Sequence, residues 1–203
     1  MDRVVRPVLG PVVALVLAAL LSGCAAVVVG GAVVTGVAVH DRRSVGTVID
    51  DNVLEVRVRN ALYVDESFHQ GSRIKVNAFN GWVLLAGEVP DEALVELATE
   101  RATEVEGVLR LFNELAATGR ASLGEASNDR WISSRVNAGF TRIRGLPGFD
   151  PTRVQVTTAR SVVYLQGLVT RAEAEAVIER ARTVRGVERV VTLFEFSDQQ
   201  AES

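Results

Sequence analysis

The groups in this 203-residue chain that could do chemistry are few, and their spacing narrows what they can do. There is one thiol, Cys24, and there are two imidazoles, His40 and His69. A single cysteine excludes an intrachain disulfide, and one cysteine with two distant histidines excludes a conventional cysteine/histidine zinc site. His69 falls in a loop without a serine or carboxylate constellation that would make a dyad. His40 closes an apolar segment, where protonation at low pH would add attraction to an anionic surface. The adjacent acids Asp50-Asp51 and Asp91-Glu92 stand at helix starts, where they favour the dipole, and no EF-hand spacing accompanies them. Gly30-Gly31 lies in apolar sequence rather than between a strand and a helix, so it suggests no phosphate loop. No metal site, cofactor or nucleophile–base pair is expected, which sets an envelope hydrolase aside. A net charge of −3 and a pI near 5.5 give no drive toward nucleic acid. What remains is a line of arginines behind a tryptophan. Trp131, Arg135, Ala138 and Arg142 recur at spacings of four, three and four, which puts them on one helical face. Guanidinium groups suit phosphates and an indole suits the headgroup level of a bilayer. An ordinary solvated face with a partly buried tryptophan is the plain alternative.

The thiol has its own context. Residues 1–23 read as a secretory signal, with Arg3 and Arg6 ahead of a charge-free apolar stretch from Val8 to Leu21. The stretch closes on Leu21-Ser22-Gly23-Cys24, which resembles the bacterial lipobox. That pattern places small residues before the cut and makes Cys24 the new N-terminus, carrying an S-diacylglyceryl and an N-acyl group. Residues 24–47 then form a tether, apolar from Ala25 to Val39. A single transmembrane helix over Val8 to Val39 is the alternative, since a span needs about 20 apolar residues. Gly30, Gly31 and Gly36 weaken a helix there. Ala25 is not the aspartate that retains lipoproteins at the inner membrane, so the sorting rule of Gram-negative bacteria implies the periplasmic face of the outer membrane.

Self-comparison of the remainder shows a repeat. Ile74 to Val89, IKVNAFNGWVLLAGEV, matches Val154 to Val169, VQVTTARSVVYLQGLV, at an offset of 80. Arg57-Val58 matches Arg135-Val136, and Val105 to Val108 matches Val184 to Val187, at offsets of 78 and 79. Each copy reads as helix, two strands, helix, strand. Val53 to Tyr63 and Trp131 to Ile143 have helical spacing, with Ile132, Val136, Gly139 and Phe140 on the buried stripe of the second. Asn80-Gly81 is a favoured hairpin turn, whereas Ala159-Arg160-Ser161 lacks that chemistry and predicts a looser turn. Acids at Asp91-Glu92 and the Thr170 to Glu173 capping box open the second helices, and Gly107 and Gly186 stop them. The fold class is α+β: two tandem units, each a sheet covered on one face by two helices. The units span 48–118 and 129–197, with a polar linker at 119–128 and a tail at 198–203. Trp82, after the first hairpin turn, reads as a sheet-packing residue.

These residues carry a resemblance. The αββαβ order, the glycine after the second strand (Gly87, Gly167) and the VxGV turn before the last strand resemble the BON domain. A lipobox followed by two such copies, with RSVGT at 43–47, EVRV at 55–58 and LGEASND at 123–129, is similar to the DolP family of dual BON-domain outer-membrane lipoproteins. The resemblance implies a non-enzymatic envelope protein that binds anionic phospholipid (phosphatidylglycerol, cardiolipin) through its second BON domain. It further implies support of outer-membrane integrity and enrichment at the division site. The family's lipid-facing helix maps onto Trp131, Ser134, Arg135 and the Phe140–Thr141 end, and Ala138, Arg142 and Arg144 extend the face. Gly139-Phe140-Thr141 departs from the enteric pattern of a polar residue and two leucines. Gly87 and Gly167 are structural; at Gly167 a side chain would crowd the strand-to-helix turn.

Charge separates the copies. Asp50 to Ser72 holds five acids against Arg57 and Arg59, whereas Asp129 to Arg153 holds five arginines against two acids. Copy one is therefore the surface expected to face protein, such as an envelope assembly protein. The competing reading is a periplasmic scaffold that touches membrane only through its acyl anchor.

Overall fold

The computed structural model describes residues 42–119 and 122–197. Cys24, His40, the signal, most of the tether and the C-terminal tail lie outside them. The described residues belong to one compact unit.

In the first copy, Ser44 caps α1 (Val45–Tyr63) by accepting from the Thr47 amide at 3.1 Å. The helix therefore starts eight residues before the apolar periodicity at Val53 and takes in what read as the end of the tether. β1 (Arg73–Phe79) and β2 (Trp82–Val89) form an antiparallel hairpin. Asp91 caps α2 (Glu92–Thr103), and β3 (Arg110–Ala117) returns parallel to β2. The second copy repeats the order: α3 (Leu123–Phe140), β4 (Val154–Ala159), β5 (Val162–Val169), α4 (Arg171–Arg182) and β6 (Arg189–Phe196). A capping box of Ser122 and Glu125 starts α3 inside the stretch read as a linker, and a second, Thr170 with Glu173, starts α4 as the sequence predicts.

Alternation along the strands sorts side chains between two environments. Val83, Leu85 and Val89 turn toward α1 and α2, joining Leu54, Val58, Leu62 and Phe68 in one core. Val163, Leu165 and Val169 do the same under α3 and α4 with Ile132, Val136 and Phe140. The in-between residues face the other way. Leu84 and Ala86 meet Ala159, Tyr164 and Leu193 in a third core, with Phe112, Val162 and Val191 at its edge. The two sheets thus stack on each other, giving four layers: helices, sheet, sheet, helices. Polar pairs surround the apolar contact. Thr157 Oγ1 bonds Asn77 Oδ1 at 2.9 Å, Asn80 Nδ2 donates to Glu195 at 2.8 Å, and Gln166 Nε2 donates to the Trp82 carbonyl. Lys75 Nζ donates to the Thr158 carbonyl. Trp82 packs on Phe112, as a sheet-packing residue should. Burial, aided by the nearby Glu114 carboxylate, pushes the Tyr164 phenol up to about 12.

The two hairpin turns are built alike, against the expectation that the second is looser. Arg160 and Ser161 hold left-handed φ values of 52° and 60°, beside 50° and 73° for Asn80 and Gly81. Asp129, buried in α3, accepts from the Arg160 and Ser161 amides at 3.2 and 3.0 Å. Asp51, its counterpart in α1, accepts from the Asn80 and Gly81 amides at 2.8 and 2.9 Å. Those hydrogen bonds supply what an unfavourable turn sequence lacks. Asp51 is therefore a turn anchor rather than a helix-dipole acid. Each anchor also has an arginine: Arg43 on Asp51 at 2.6 Å, and Arg73, from the other copy, on Asp129 at 2.7 Å. Arg73 also holds Glu88, itself buried.

The residues just before α1 cross to the second copy. Arg42 grips Glu173 with two hydrogen bonds, 2.6 and 2.9 Å, and donates to the Leu168 carbonyl. Burial opposes ionisation of Glu173, but Arg42 and the Thr170 amide outweigh it and hold the carboxyl below its ordinary range. A depressed carboxylate stabilises the fold above its unfolded pKa, and the contribution vanishes as pH falls through the folded value. Arg42→Ala is accordingly expected to lower the urea midpoint at pH 7. The gap to wild type should close as pH drops below about 4.

Both strand glycines are forced by close approach. A Cβ on Gly87 would stand 1.9 Å from the Arg73 carbonyl oxygen, and its φ of 138° suits only glycine. At Gly167 the Cβ would stand 2.6 Å from the Arg153 carbonyl oxygen, across the sheet rather than in the strand-to-helix turn. We expect Gly87→Ala to cost about 3 kcal/mol or more, and Gly167→Ala less, in thermal or urea unfolding.

Candidate lipid-facing groove

α3 is held in phase by its core face, and that phase decides what reaches solvent. Ile132, Val136 and Phe140, four residues apart, point into the second core and are fully buried. Trp131, Arg135, Ala138 and Arg142 come out together on the other side, all exposed. Phe140 therefore belongs to the core and not to the contact face. Its reading as a buried-stripe residue holds, and its mapping as a lipid contact does not. Ser134 and Thr141 are exposed next to the stripe, and the Thr141 hydroxyl is turned back to the Ala138 carbonyl at 2.9 Å. Arg144, exposed, folds over the helix end, with one nitrogen donating to the carbonyls of Thr141 and Ile143.

The fold adds partners that the helix alone does not reveal. The C-terminal end of α4 and the turn after it bring Arg180, Thr183, Val184 and Arg185 against the stripe. Together they line an open groove of about 370 Å³ with Trp131, Arg135, Ala138, Gly139 and Arg142. Four arginines line it and no acid does. Trp131 is 42% exposed, and the Arg135 guanidinium sits 5.2 Å from its ring centroid, within cation–π range. Arg180 lies across Gly139, its Nε donating to the Gly139 carbonyl at 3.3 Å. A Cβ at 139 would stand 3.1 Å from that Nε, so the glycine gives the guanidinium its seat. Neither Arg135 nor Arg142 is buried against the first copy.

Sequence reading missed Arg180 and Arg185. The available signal was Gly139, standing where the first copy has Ala61, together with the arginine-dense run from 180 to 185. The other chemistry-bearing residues take structural places. His69 Nε2 lies 2.8 Å from the Tyr63 carbonyl oxygen, and its ring stacks on the Tyr63 ring. Among the described residues no cluster of three His, Cys, Asp or Glu side chains is arranged to hold a metal. No helix among them is long and apolar enough to cross a membrane.

Such a groove can receive a phosphate or other anionic headgroup by charge-assisted, forked hydrogen bonds, with the indole beside it at the apolar boundary. Residues 50–119 and 128–198 each match the BON domain family. The chain is 34% identical over 181 residues to the outer membrane lipoprotein DolP of Haemophilus influenzae, covering 88% of this chain and 91% of that one. It is 36% identical over 156 residues to a 21 kDa hemolysin of Actinobacillus pleuropneumoniae, covering 77% and 79%. A solved C-terminal domain of CdsD, the structural protein of the type III secretion system of Chlamydia trachomatis, aligns at 9% identity and a TM-score of 0.29, over 71% of this chain and 97% of that one. The chain belongs to the BON-domain family, and with its two copies to the DolP group of outer-membrane lipoproteins.

Glycine at 139 trades helix propensity for the Arg180 seat. Gly139→Ala is expected to change stability by no more than about 1 kcal/mol, because alanine's better propensity offsets a small shift of Arg180. The same change should loosen Arg180, seen as a shifted guanidinium Nε resonance by NMR.

Proposed function

We propose that this lipoprotein is anchored through acyl groups on Cys24 and reads anionic phospholipid with the groove of its second BON domain. The observation that carries the reading is the groove itself: Trp131 with Arg135, Arg142, Arg180 and Arg185, and no acid, on a chain whose net charge is negative. Each arginine near an anionic bilayer contributes about 1 kcal/mol, so four amount to roughly a thousandfold in partitioning at low salt. An exposed indole adds a preference for the bilayer interface that a soluble anion site does not need. The role is binding rather than catalysis, in support of outer-membrane integrity from the periplasmic face. A lipid reader of this kind concentrates where phosphatidylglycerol and cardiolipin do, which would account for enrichment at a division site.

The test uses residues 36–203, the compact unit that lacks the anchor. Its co-sedimentation is compared on neutral vesicles and on vesicles containing phosphatidylglycerol or cardiolipin, at low and high salt. Binding to anionic vesicles that weakens with salt is the expected result. It should fall at least about tenfold in Trp131→Glu/Arg135→Glu and in Arg180→Glu/Arg185→Glu, both checked for native circular dichroism. Equal binding by these variants, or none by the parent, sinks the assignment and leaves the anchor as the membrane contact.

A further inference from the structure

The first BON domain carries a surface that the second lacks. On α1 the core face is Leu54, Val58 and Leu62. An ordinary surface helix would be polar on the opposite side. Here that side carries Val45, Ile49, Val53 and Val56, exposed by 41, 48, 43 and 49%. Their spacings of four, four and three make one stripe down the outside of the helix. The aligned residues of α3 are Leu123, Ser127, Trp131 and Ser134, so the repeat does not demand such a stripe.

Beside it, on the same helical layer, α2 turns outward Glu92, Glu96, Glu100 and Glu104. None of the four carboxylates pairs with a cation among the described residues. Successive like charges at a spacing of four destabilise a helix. The aligned positions in α4 are Arg171, Glu175, Glu179 and Thr183, where the run is broken. The positions equivalent to the arginine groove keep Arg57 and Arg101, but Val64 stands in place of Arg142. Glu106 stands where the second copy has Arg185, and Leu109 is 77% exposed.

Because the sheets stack back to back, the helical layers of the two domains face opposite ways. A surface of this kind, apolar along one helix and acidic along the next, is unsuited to an anionic bilayer and repels a second acidic copy of itself. We propose that the α1–α2 face docks a partner protein through a basic amphipathic helix. The partner's apolar residues would lie along Val45, Ile49, Val53 and Val56, and its Lys or Arg side chains over Glu96, Glu100 and Glu104. The inference goes beyond the lipid reading and does not require it.

Two synthetic 18-residue peptides of leucine, lysine and alanine serve as probes. In one, leucine and lysine form separate helical faces; in the other the same composition is scrambled. Binding to residues 36–203 is followed by fluorescence anisotropy and by amide NMR shifts. The ordered peptide should bind at least about tenfold more tightly than the scrambled one, with shifts confined to 45–60 and 92–107. Ile49→Ser/Val56→Ser and Glu96→Gln/Glu100→Gln/Glu104→Gln should each weaken it about fivefold or more, with the fold intact because all five side chains are exposed. Anionic-vesicle binding by these variants should be unchanged, which keeps the outcome separate from that of the lipid test. Equal binding of both peptides, no binding, or shifts elsewhere overturns the proposal. So does a concentration-dependent dimer that Ile49→Ser/Val56→Ser abolishes, which would give the stripe to a second copy. Loss of vesicle binding in that variant would give it to the membrane and overturns the proposal as well.

Discussion

A three-stranded sheet with apolar side chains on both faces has to be covered twice, and everything else in this protein follows from how that is done. Two helices cover one face of each sheet. Nothing within the copy covers Leu84, Ala86 and Phe112, or Ala159, Tyr164 and Leu193, so each sheet uses the other. Exposing either sheet would uncover apolar area and strip Arg73 of Asp129, Lys75 of the Thr158 carbonyl and Gln166 of the Trp82 carbonyl. The two BON domains therefore form one body, and their helical layers necessarily end up on opposite outer faces.

That geometry gives a duplicated fold two separate outer faces. Both copies keep the same skeleton: a buried aspartate in the first helix, a left-handed two-residue turn held by it, and a strand glycine under a neighbouring carbonyl. These positions are constrained by backbone geometry, where a change leaves buried N–H groups unsatisfied or drives atoms together. The outward helical positions carry no such constraint, and there the copies differ in charge sign. Glu104 and Glu106 of one correspond to Thr183 and Arg185 of the other, and Val53 corresponds to Trp131. A fold indifferent to its outer residues let one face become an arginine groove and the other an acidic, apolar surface.

Arg42 and Arg43 connect this body to the segment that precedes it. One arginine holds the second domain through Glu173 and the other holds the first through Asp51 and the face of Phe79, 3.9 Å from its guanidinium carbon. The chain therefore enters the body at a defined place, bridging both domains, before α1 begins.

Local pattern was enough for the repeat, the order of elements, the Thr170–Glu173 capping box, the hairpin at Asn80-Gly81 and the phase of α3, because each depends on residues near one another in the chain. The same phase already put Ile132, Val136 and Phe140 inside and Trp131, Arg135, Ala138 and Arg142 on a common face. Resemblance puts Phe140 on the contact face as well, and helical geometry permits only one side. The starts of α1 and α3 escape the sequence reading, since the large core side chains that set its phase begin only at Leu54 and Ile132, well after the caps Ser44 and Ser122. The tightness of the Arg160-Ser161 turn was invisible because its stabilising carboxylate, Asp129, lies about thirty residues upstream. Arg180 and Arg185 could join the groove only once α4 lay beside α3, and the stacking of the sheets lay beyond either copy's own pattern. Charge type and helical phase are written along the chain, but which charges share a groove depends on packing between segments distant in sequence.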